Sequence, residues 1–352
     1  MKLKRCLACD SKRLEKVLDL GKQPLANNYG QGRKYPLVLN GCLDCGHGQL
    51  SISVSPKKLF SHYLYESGTS NTLKAWFDDF AQSITYLYGQ GSILDVASND
   101  GTFLRSCKEL GWEVLGVDPA KNLKPTDIPT VTEFFGEYSD LGKYDVVTAF
   151  NVVAHTPNPL SILKGVRKSL NASGRAFIMC SQGHMYETGQ FDTIYHEHHS
   201  FYTPNSFTML ANRAGLVVLN VAEQPIHGGS LLFECVPNQF DGFKALASGV
   251  IESARNFVPK NRLVALGAAA KGVVFINTTS LPVTAVYDEA KLKHGYNLPG
   301  TKAPILPFSQ LKEVTESLTF VVTAWNFFDE LVSKVKELRP DRDDEFVRFY
   351  ES

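Results

Sequence analysis

The segment Gln190–Tyr202 (Gln-Phe-Asp-Thr-Ile-Tyr-His-Glu-His-His-Ser-Phe-Tyr) gathers three histidines, a glutamate and four aromatic residues around one loop. Imidazole exchanges a proton near neutral pH, and a neighbouring carboxylate orients or tunes it, so the loop reads as acid–base chemistry. Two other readings stay open. His196 and His198 alternate around Glu197 and could hold a metal, although the spacing is not the i, i+4 pair of a helical hydrolytic zinc site. The third reading is a solvated polar loop.

A second constellation lies near the N-terminus. Cys6-Leu-Ala-Cys9 and Cys42-Leu-Asp-Cys45 are two Cys-x-x-Cys knuckles, the second flanked by Gly41 and Gly46. Two knuckles on facing hairpins place four thiolates tetrahedrally, which suits a structural zinc with no open position. Four free thiols are the alternative; a redox pair fits less well, because two copies pair more naturally with a metal. A closed site needs no further ligand from His47. Val17–Leu20 and Tyr35–Leu39 read as the intervening strands.

These groups need elements to position them. Ile93–Val96 reads as a buried strand, Ser98–Gly101 as a tight turn, and Thr102 onward, through Leu104, Cys107 and Leu110, as a helix with one apolar face. Such a turn brings backbone N–H groups and a helix N-terminus together at the carboxyl edge of a parallel sheet. Trp112–Asp118 reads as the next strand, and its closing carboxylate is placed to take ribose hydroxyls. Ala97 and Ser98 stand where a dinucleotide loop has glycines, which favours S-adenosylmethionine (SAM) over NAD. Asp95, Ser98, Asn99, Asp100, Gly101 and Asp118 are therefore candidate cofactor residues.

Tyr144–Phe150 is a further buried strand, and the loop after it carries Asn151 and His155, expected near the methionine end of the cofactor. Pro159 opens a helix to Leu170, Gly174–Cys180 is the next strand, and Leu216–Val221 with Gly229–Val236 reads as a closing antiparallel hairpin. Upstream, a helix over Asn71–Tyr88 capped by Ser70 or Asn71 follows an aromatic connector in which Tyr63 and Tyr65 share a face if extended.

Beyond about Asn238 a helical connector runs to Phe257, and Arg262–Gly272 repeats the strand–small-turn–helix pattern. Val283–Asp288, Leu318–Ala324 and Glu345–Phe349 supply further strands, and Asn326–Leu338 the last helix. Lys271 in the small-residue turn is placed to receive a phosphate; a turn merely packed by alanines is the other reading.

Length bounds the rest. A chain of 352 residues builds two or three domains with real cores. Lys+Arg and Asp+Glu are both 36, so nothing marks an electrostatic footprint for nucleic acid or for an acidic membrane surface. No stretch approaches the ~20 apolar residues of a membrane span. The Met1–Cys6 start leads to the expectation of no signal peptide, and an odd number of cysteines, 7, argues against a disulfide framework. A cytoplasmic location is expected.

Taken together, these motifs resemble those of the sugar C-methyltransferases that build branched deoxysugars. The resemblance covers essentially the whole chain. It rests on both Cys-x-x-Cys pairs, Tyr-x-Tyr-x-Ser-Gly-x-Ser, Ser-Asn-Asp-Gly, Phe-Asp-x-Ile-Tyr-His-Glu-His and His227-Gly-Gly-Ser230. It continues through Gly267-Ala-Ala-Ala-Lys-Gly272, Leu298-Pro-Gly-Thr301 and Ala324-Trp-Asn326. The resemblance implies an α/β chain of three parts: a zinc-binding domain (1–70), a SAM-methyltransferase domain with a Rossmann-like sheet (71–237) and a C-terminal Rossmann-like domain (238–352). The implied substrate is a nucleotide-diphospho-4-keto-deoxysugar, dTDP-linked, methylated at C3 through an enolate. Implied roles are His198 as base, Tyr195 and Glu197 holding or polarising the sugar, and His155 with Tyr63 or Tyr65 completing the pocket. Substrate contacts are expected from His196, His227, Lys271 and Asn326, in a monomer or small homo-oligomer. An O- or N-methyltransferase on a related sugar, or a non-catalytic protein with a disused SAM fold, are the competing expectations.

Overall fold

The computed structural model describes residues 1–27, 32–55, 59, 66–181, 185–226 and 228–350. The chain divides into two compact units, Met1–Asn238 and Gln239–Ser352.

The first unit holds two sheets. Strands β1 (Leu14–Gln23), β2 (Tyr35–Cys42) and β3 (Gly48–Leu50) form an antiparallel meander. The two-residue strand β9 (Ser200–Phe201) joins its edge, pairing Gly48 with Phe201 and Gln49 with Ser200. The His-rich loop thus ends inside the sheet that carries the cysteine knuckles.

The second sheet has seven strands. Its parallel part runs β6 (Thr130–Val131), β5 (Glu113–Val117), β4 (Ser92–Val96), β7 (Tyr144–Phe150), β8 (Leu170–Ser181). The hairpin of β10 (Leu216–Gln224) and β11 (Ser230–Pro237) follows, with β11 inserted antiparallel beside β8. Helices α1 (Asn71–Tyr88), α2 (Thr102–Glu109), α3 (Pro159–Ser169), α4 (Met185–Thr188) and α5 (Pro204–Arg213) complete the unit. The central strands β4 and β7 are almost wholly buried, as strands with both faces covered must be. Leu73, Phe77, Ala81 and Ile84, at helical spacing, turn α1 onto that sheet. Ser70 caps the helix by accepting from the Leu73 N–H. Strand β8 starts four residues before the expected Gly174, because Leu170 is already buried and pairs with Tyr144 ahead of a register shift.

In the second unit five parallel strands lie in the order β14 (Ile305–Pro307), β13 (Val286–Asp288), β12 (Arg262–Leu266), β15 (Leu318–Val322), β16 (Glu345–Val347). They are accompanied by α6 (Gln239–Arg255), α7 (Ala270–Thr279) and α8 (Phe328–Leu338). The last helix begins later than the sequence suggests, since Trp325–Phe327 forms a separate 3-10 turn that contains Asn326. Among the described residues no helix is long and apolar enough to cross a membrane.

Candidate functional site

At the end of β4 the chain turns through three left-handed residues, Ala97 (φ 60°), Asn99 (φ 52°) and Gly101 (φ 76°). Two of the three carry a side chain, a conformation that costs on the order of 1 kcal/mol each and persists where surrounding bonds over-determine it. Here they do. Ala97 N–H donates to the Val117 carbonyl at 2.7 Å, and Asn99 N–H donates to Asp118 Oδ2 at 2.9 Å. The other oxygen of Asp118 accepts from Ala120 N–H at 2.7 Å. Burial raises the Asp118 carboxyl above its ordinary range, against the pull of those two donors.

The turn's side chains reach the segment that precedes α1. Asn99 Oδ1 accepts from the N–H groups of Ser67 (3.0 Å) and Asp100 (2.9 Å). Asp100 Oδ2 accepts from Gly68 N–H at 2.8 Å, while its Oδ1 takes the Thr102 hydroxyl at 2.7 Å. A Cβ on Gly68 would stand 2.7 Å from Asp100 Oδ2, so a larger residue there would push that carboxylate aside. This polar turn therefore anchors the 3-10 turn Ser67–Thr69 that leads into α1.

A cavity of about 1070 Å³ opens over the carboxyl ends of these strands. Asn99, Asp118, Asn151, His155, Tyr195 and His198 all line it. Asn151 is itself left-handed (φ 55°), and its Oδ1 is buried with no hydrogen-bond partner among the described residues. His198 Nδ1 lies 2.9 Å from the Thr193 carbonyl, so that nitrogen carries the proton. Nε2 then holds a lone pair, which accepts from the Tyr195 hydroxyl at 2.7 Å. The His155 ring packs edge-on to His198 with centroids 4.8 Å apart.

Other expected residues stand elsewhere. Asp95 accepts from Thr148 inside the sheet at 2.6 Å, and Ser98 is buried against Gly116. Gly101 serves as the left-handed cap of α2. His196 turns to the Pro36 carbonyl at 3.3 Å, and Glu197 to Asn27 at 2.6 Å, so neither is among the cavity's described lining. Lys271, in the first turn of α7, and Asn326 are exposed on the second unit. Tyr63, Tyr65 and His227 lie outside the described residues.

The cavity also recruits residues that sequence reasoning missed. Glu133–Ser139, after β6, forms one wall, and Glu133 Oε1 is buried there without a partner among the described residues. The available signal was positional, since the third parallel strand ends on the same crevice. Asp192 and Thr193 line the cavity beside the histidine loop.

At the N-terminal sheet the four Sγ atoms of Cys6, Cys9, Cys42 and Cys45 lie within 4.8 Å of one another. The Cys6–Cys45 and Cys9–Cys42 separations are both 3.6 Å. Tetrahedral zinc with bonds of about 2.3 Å sets sulfurs ~3.8 Å apart, so the donors fit zinc. Burial, against the pull of backbone N–H groups, pushes the Cys6 thiol up to about 12, and a divalent cation is what makes thiolates stable in such a place. His47 stays outside the cluster: it is wholly buried, 3.2 Å from Ser200 Oγ, and packs on Tyr202.

A strand-ending carboxylate, a left-handed turn and an unpartnered amide oxygen on one crevice suit a nucleoside-bearing methyl donor. Three family models cover the chain in order. A zinc-binding domain matches residues 6–60, a methyltransferase domain 61–221, and a C-methyltransferase C-terminal domain 238–348. The chain is a SAM-dependent methyltransferase whose N-terminal stretch matches a zinc-binding domain and whose C-terminal stretch matches a C-methyltransferase C-terminal domain. It is 25% identical to the C-methyltransferase NovU of Streptomyces niveus over 94% of this chain and 92% of that protein. The ubiquinone biosynthesis O-methyltransferase of Acinetobacter baumannii is 25% identical, over 41% of this chain and 69% of its own. Among solved structures, magnesium protoporphyrin IX methyltransferase from Synechocystis with bound SAH matches with a TM-score of 0.39 at 11% identity. That match covers 47% of this chain and 83% of the other.

Proposed function

We propose that this chain methylates C3 of a dTDP-linked 4-keto-deoxysugar through a base-generated enolate, in the cytoplasm. The observation that carries the reading is the His198–Tyr195 pair lining one cavity with Asn99 and Asp118. A C–H beside a ketone becomes acidic because the resulting anion spreads onto oxygen. His198 Nε2, fixed as a lone pair by the Thr193 carbonyl on the far nitrogen, takes the C3 proton. Tyr195, released from Nε2 as the sugar enters, donates its hydroxyl to the developing C4 oxyanion. His155, against the His198 ring, keeps that imidazole in place. Asp118 receives the ribose hydroxyls on its remaining lone pairs, and Asn151 Oδ1 accepts from the donor's amino group. When bound, SAM would supply an electrophilic methyl to the enolate carbon, with S-adenosylhomocysteine leaving as the sulfur–methyl bond breaks. The C-methyltransferase C-terminal match supports transfer to carbon.

Incubation in deuterated buffer without SAM should exchange the C3 hydrogen of a dTDP-4-keto-6-deoxysugar, and adding SAM should give a new C–CH3 signal. His198→Ala should lower both by about 10²- to 10⁴-fold while SAH binding is kept. Methylation without C3 exchange would instead mean an oxygen or nitrogen acceptor.

A further inference from the structure

Glu197 sits between two histidines of the loop, yet its carboxylate faces away from the cavity. It is only 3% exposed and is absent from the described lining. Its Oε2 accepts from Asn27 Nδ2 at 2.6 Å, and the backbone N–H of Asn27 donates to the same carboxylate. Asn27 is 170 positions away in sequence, just past β1 of the zinc-bearing sheet. The neighbouring His196 is held from the same side, with Nε2 at the Pro36 carbonyl. Two consecutive loop side chains are thus gripped by the N-terminal domain, and the next, His198, is presented to the cavity.

We infer that Asn27 is a positioning residue: its two N–H groups hold the Glu197 carboxylate so that the loop sets His198 Nε2 at the reacting carbon. Glu197 acts through this clamp and not by touching the sugar. The inference rests on the proposed carbon methylation and assigns Glu197 its part in it. A buried carboxylate is desolvated and needs donors of its own; charge-assisted bonds from an amide and a backbone N–H meet that need. Removing the donors leaves the carboxylate to seek others by shifting the loop.

The test exchanges the two partners. Asn27→Asp sets two carboxylates against each other, and we expect C3 exchange and methyl transfer to fall at least about tenfold, the scale of losing one charge-assisted hydrogen bond. Glu197→Gln keeps an acceptor of the same shape opposite Asn27, and its loss in kcat should be smaller, with the KM for sugar unchanged. The double variant Asn27→Asp/Glu197→Gln restores a donor–acceptor pair with roles reversed. We expect it to recover most of the activity lost by Asn27→Asp alone. A substrate-touching Glu197 gives the opposite pattern: Glu197→Gln as damaging as the double variant, a raised KM, and no rescue, which overturns the clamp. Thermal unfolding of all four proteins keeps the comparison sound, because the swap should restore the melting temperature together with activity. Recovery of melting temperature without recovery of activity makes the pair merely structural and also overturns the inference. A wild-type protein that shows no C3 exchange overturns the carbon-methylation reading, and the clamp's catalytic part with it.

Discussion

The carboxyl of Asp95 lies within β4, where Thr148 donates to it at 2.6 Å. Burial pushes its pKa up to about 7, with nearby Asp118 adding to the rise and the Thr148 hydroxyl opposing it. The sign of the linkage follows. Below the ordinary value of 3.8 the group is protonated in folded and unfolded chains alike, and it costs nothing. Between 3.8 and about 7 the folded chain keeps a proton that the unfolded chain has released, so stability falls as pH rises through that window and levels off above it. Asp95→Asn has the same shape, still accepts from Thr148, and has no charge to bury. Denaturant unfolding of both proteins at pH 4.5 and 7.5 should show the variant gaining on the wild type by roughly 3 kcal/mol between the two pH values. A gap that does not change with pH would mean that Asp95 is ionised in the folded chain. The same geometry separates Asp95 from Asp118, which carries its own pair of backbone donors on the cavity wall.

At the scale of elements, the cysteine knuckles and the histidine loop belong to one sheet. Beyond the β3–β9 pairs, Leu50 N–H donates to the His199 carbonyl at 3.0 Å and Asn205 Nδ2 to the Cys45 carbonyl at 3.1 Å. His199 N–H in turn donates to the Ala154 carbonyl at 2.8 Å, next to His155. Removing the metal with a chelator should therefore loosen more than the knuckles. We expect hydrogen exchange to quicken across 199–202 and the melting temperature to drop, with methyl transfer falling in step; unchanged exchange in that stretch would disconnect the zinc from the site. This stitching was not legible in the sequence, because a two-residue strand has no periodicity and its partner lies some 150 residues upstream. Regular elements were legible for the opposite reason. Helix α1 repeats its apolar residues at 3.6-residue spacing behind a serine cap, and β4 and β7 are short apolar runs bounded by turns. In the site, His198, Tyr195, His155 and Asn151 could be picked out by chemical type and by their place after strands. The facing of Glu197 and His196 could not, since an irregular loop has no period from which to read direction. Nor could the bidentate Arg339–Asp344 pair, buried in the second unit at 1% and 4% side-chain exposure, whose guanidinium also donates to the carbonyls of Leu311, Val314 and Glu316.

Across the whole molecule the same device occurs twice. In the second unit Asp288 ends β13 and accepts from Ala268 N–H at 2.6 Å and Ala290 N–H at 2.8 Å, as Asp118 does from Asn99 and Ala120. The two differ in charge. Four carboxylates, of Asp118, Glu133, Glu137 and Asp192, line the cavity of the first unit, with no lysine or arginine among its described lining. Lys164 offsets one of them by pairing with Glu137 at 3.0 Å. Such a wall receives a sulfonium and a neutral sugar ring but repels a diphosphate. In the second unit Lys293 pairs with Asp288 at 3.0 Å, and Lys271 stands exposed beside the Ala268–Ala270 turn. On this charge pattern SAH is expected to bind the first unit and dTDP the second. Calorimetry with dTDP and with SAH separates the two. In Lys271→Ala, dTDP should bind about tenfold more weakly, the size of one lost ammonium–phosphate contact, while SAH binding holds. Raising the salt should weaken dTDP binding more than SAH binding, because only the former depends on exposed cations. If dTDP instead competes with SAH on the wild-type protein, the diphosphate enters the acidic cavity after all, and the division of labour between the two strand-ending carboxylates fails.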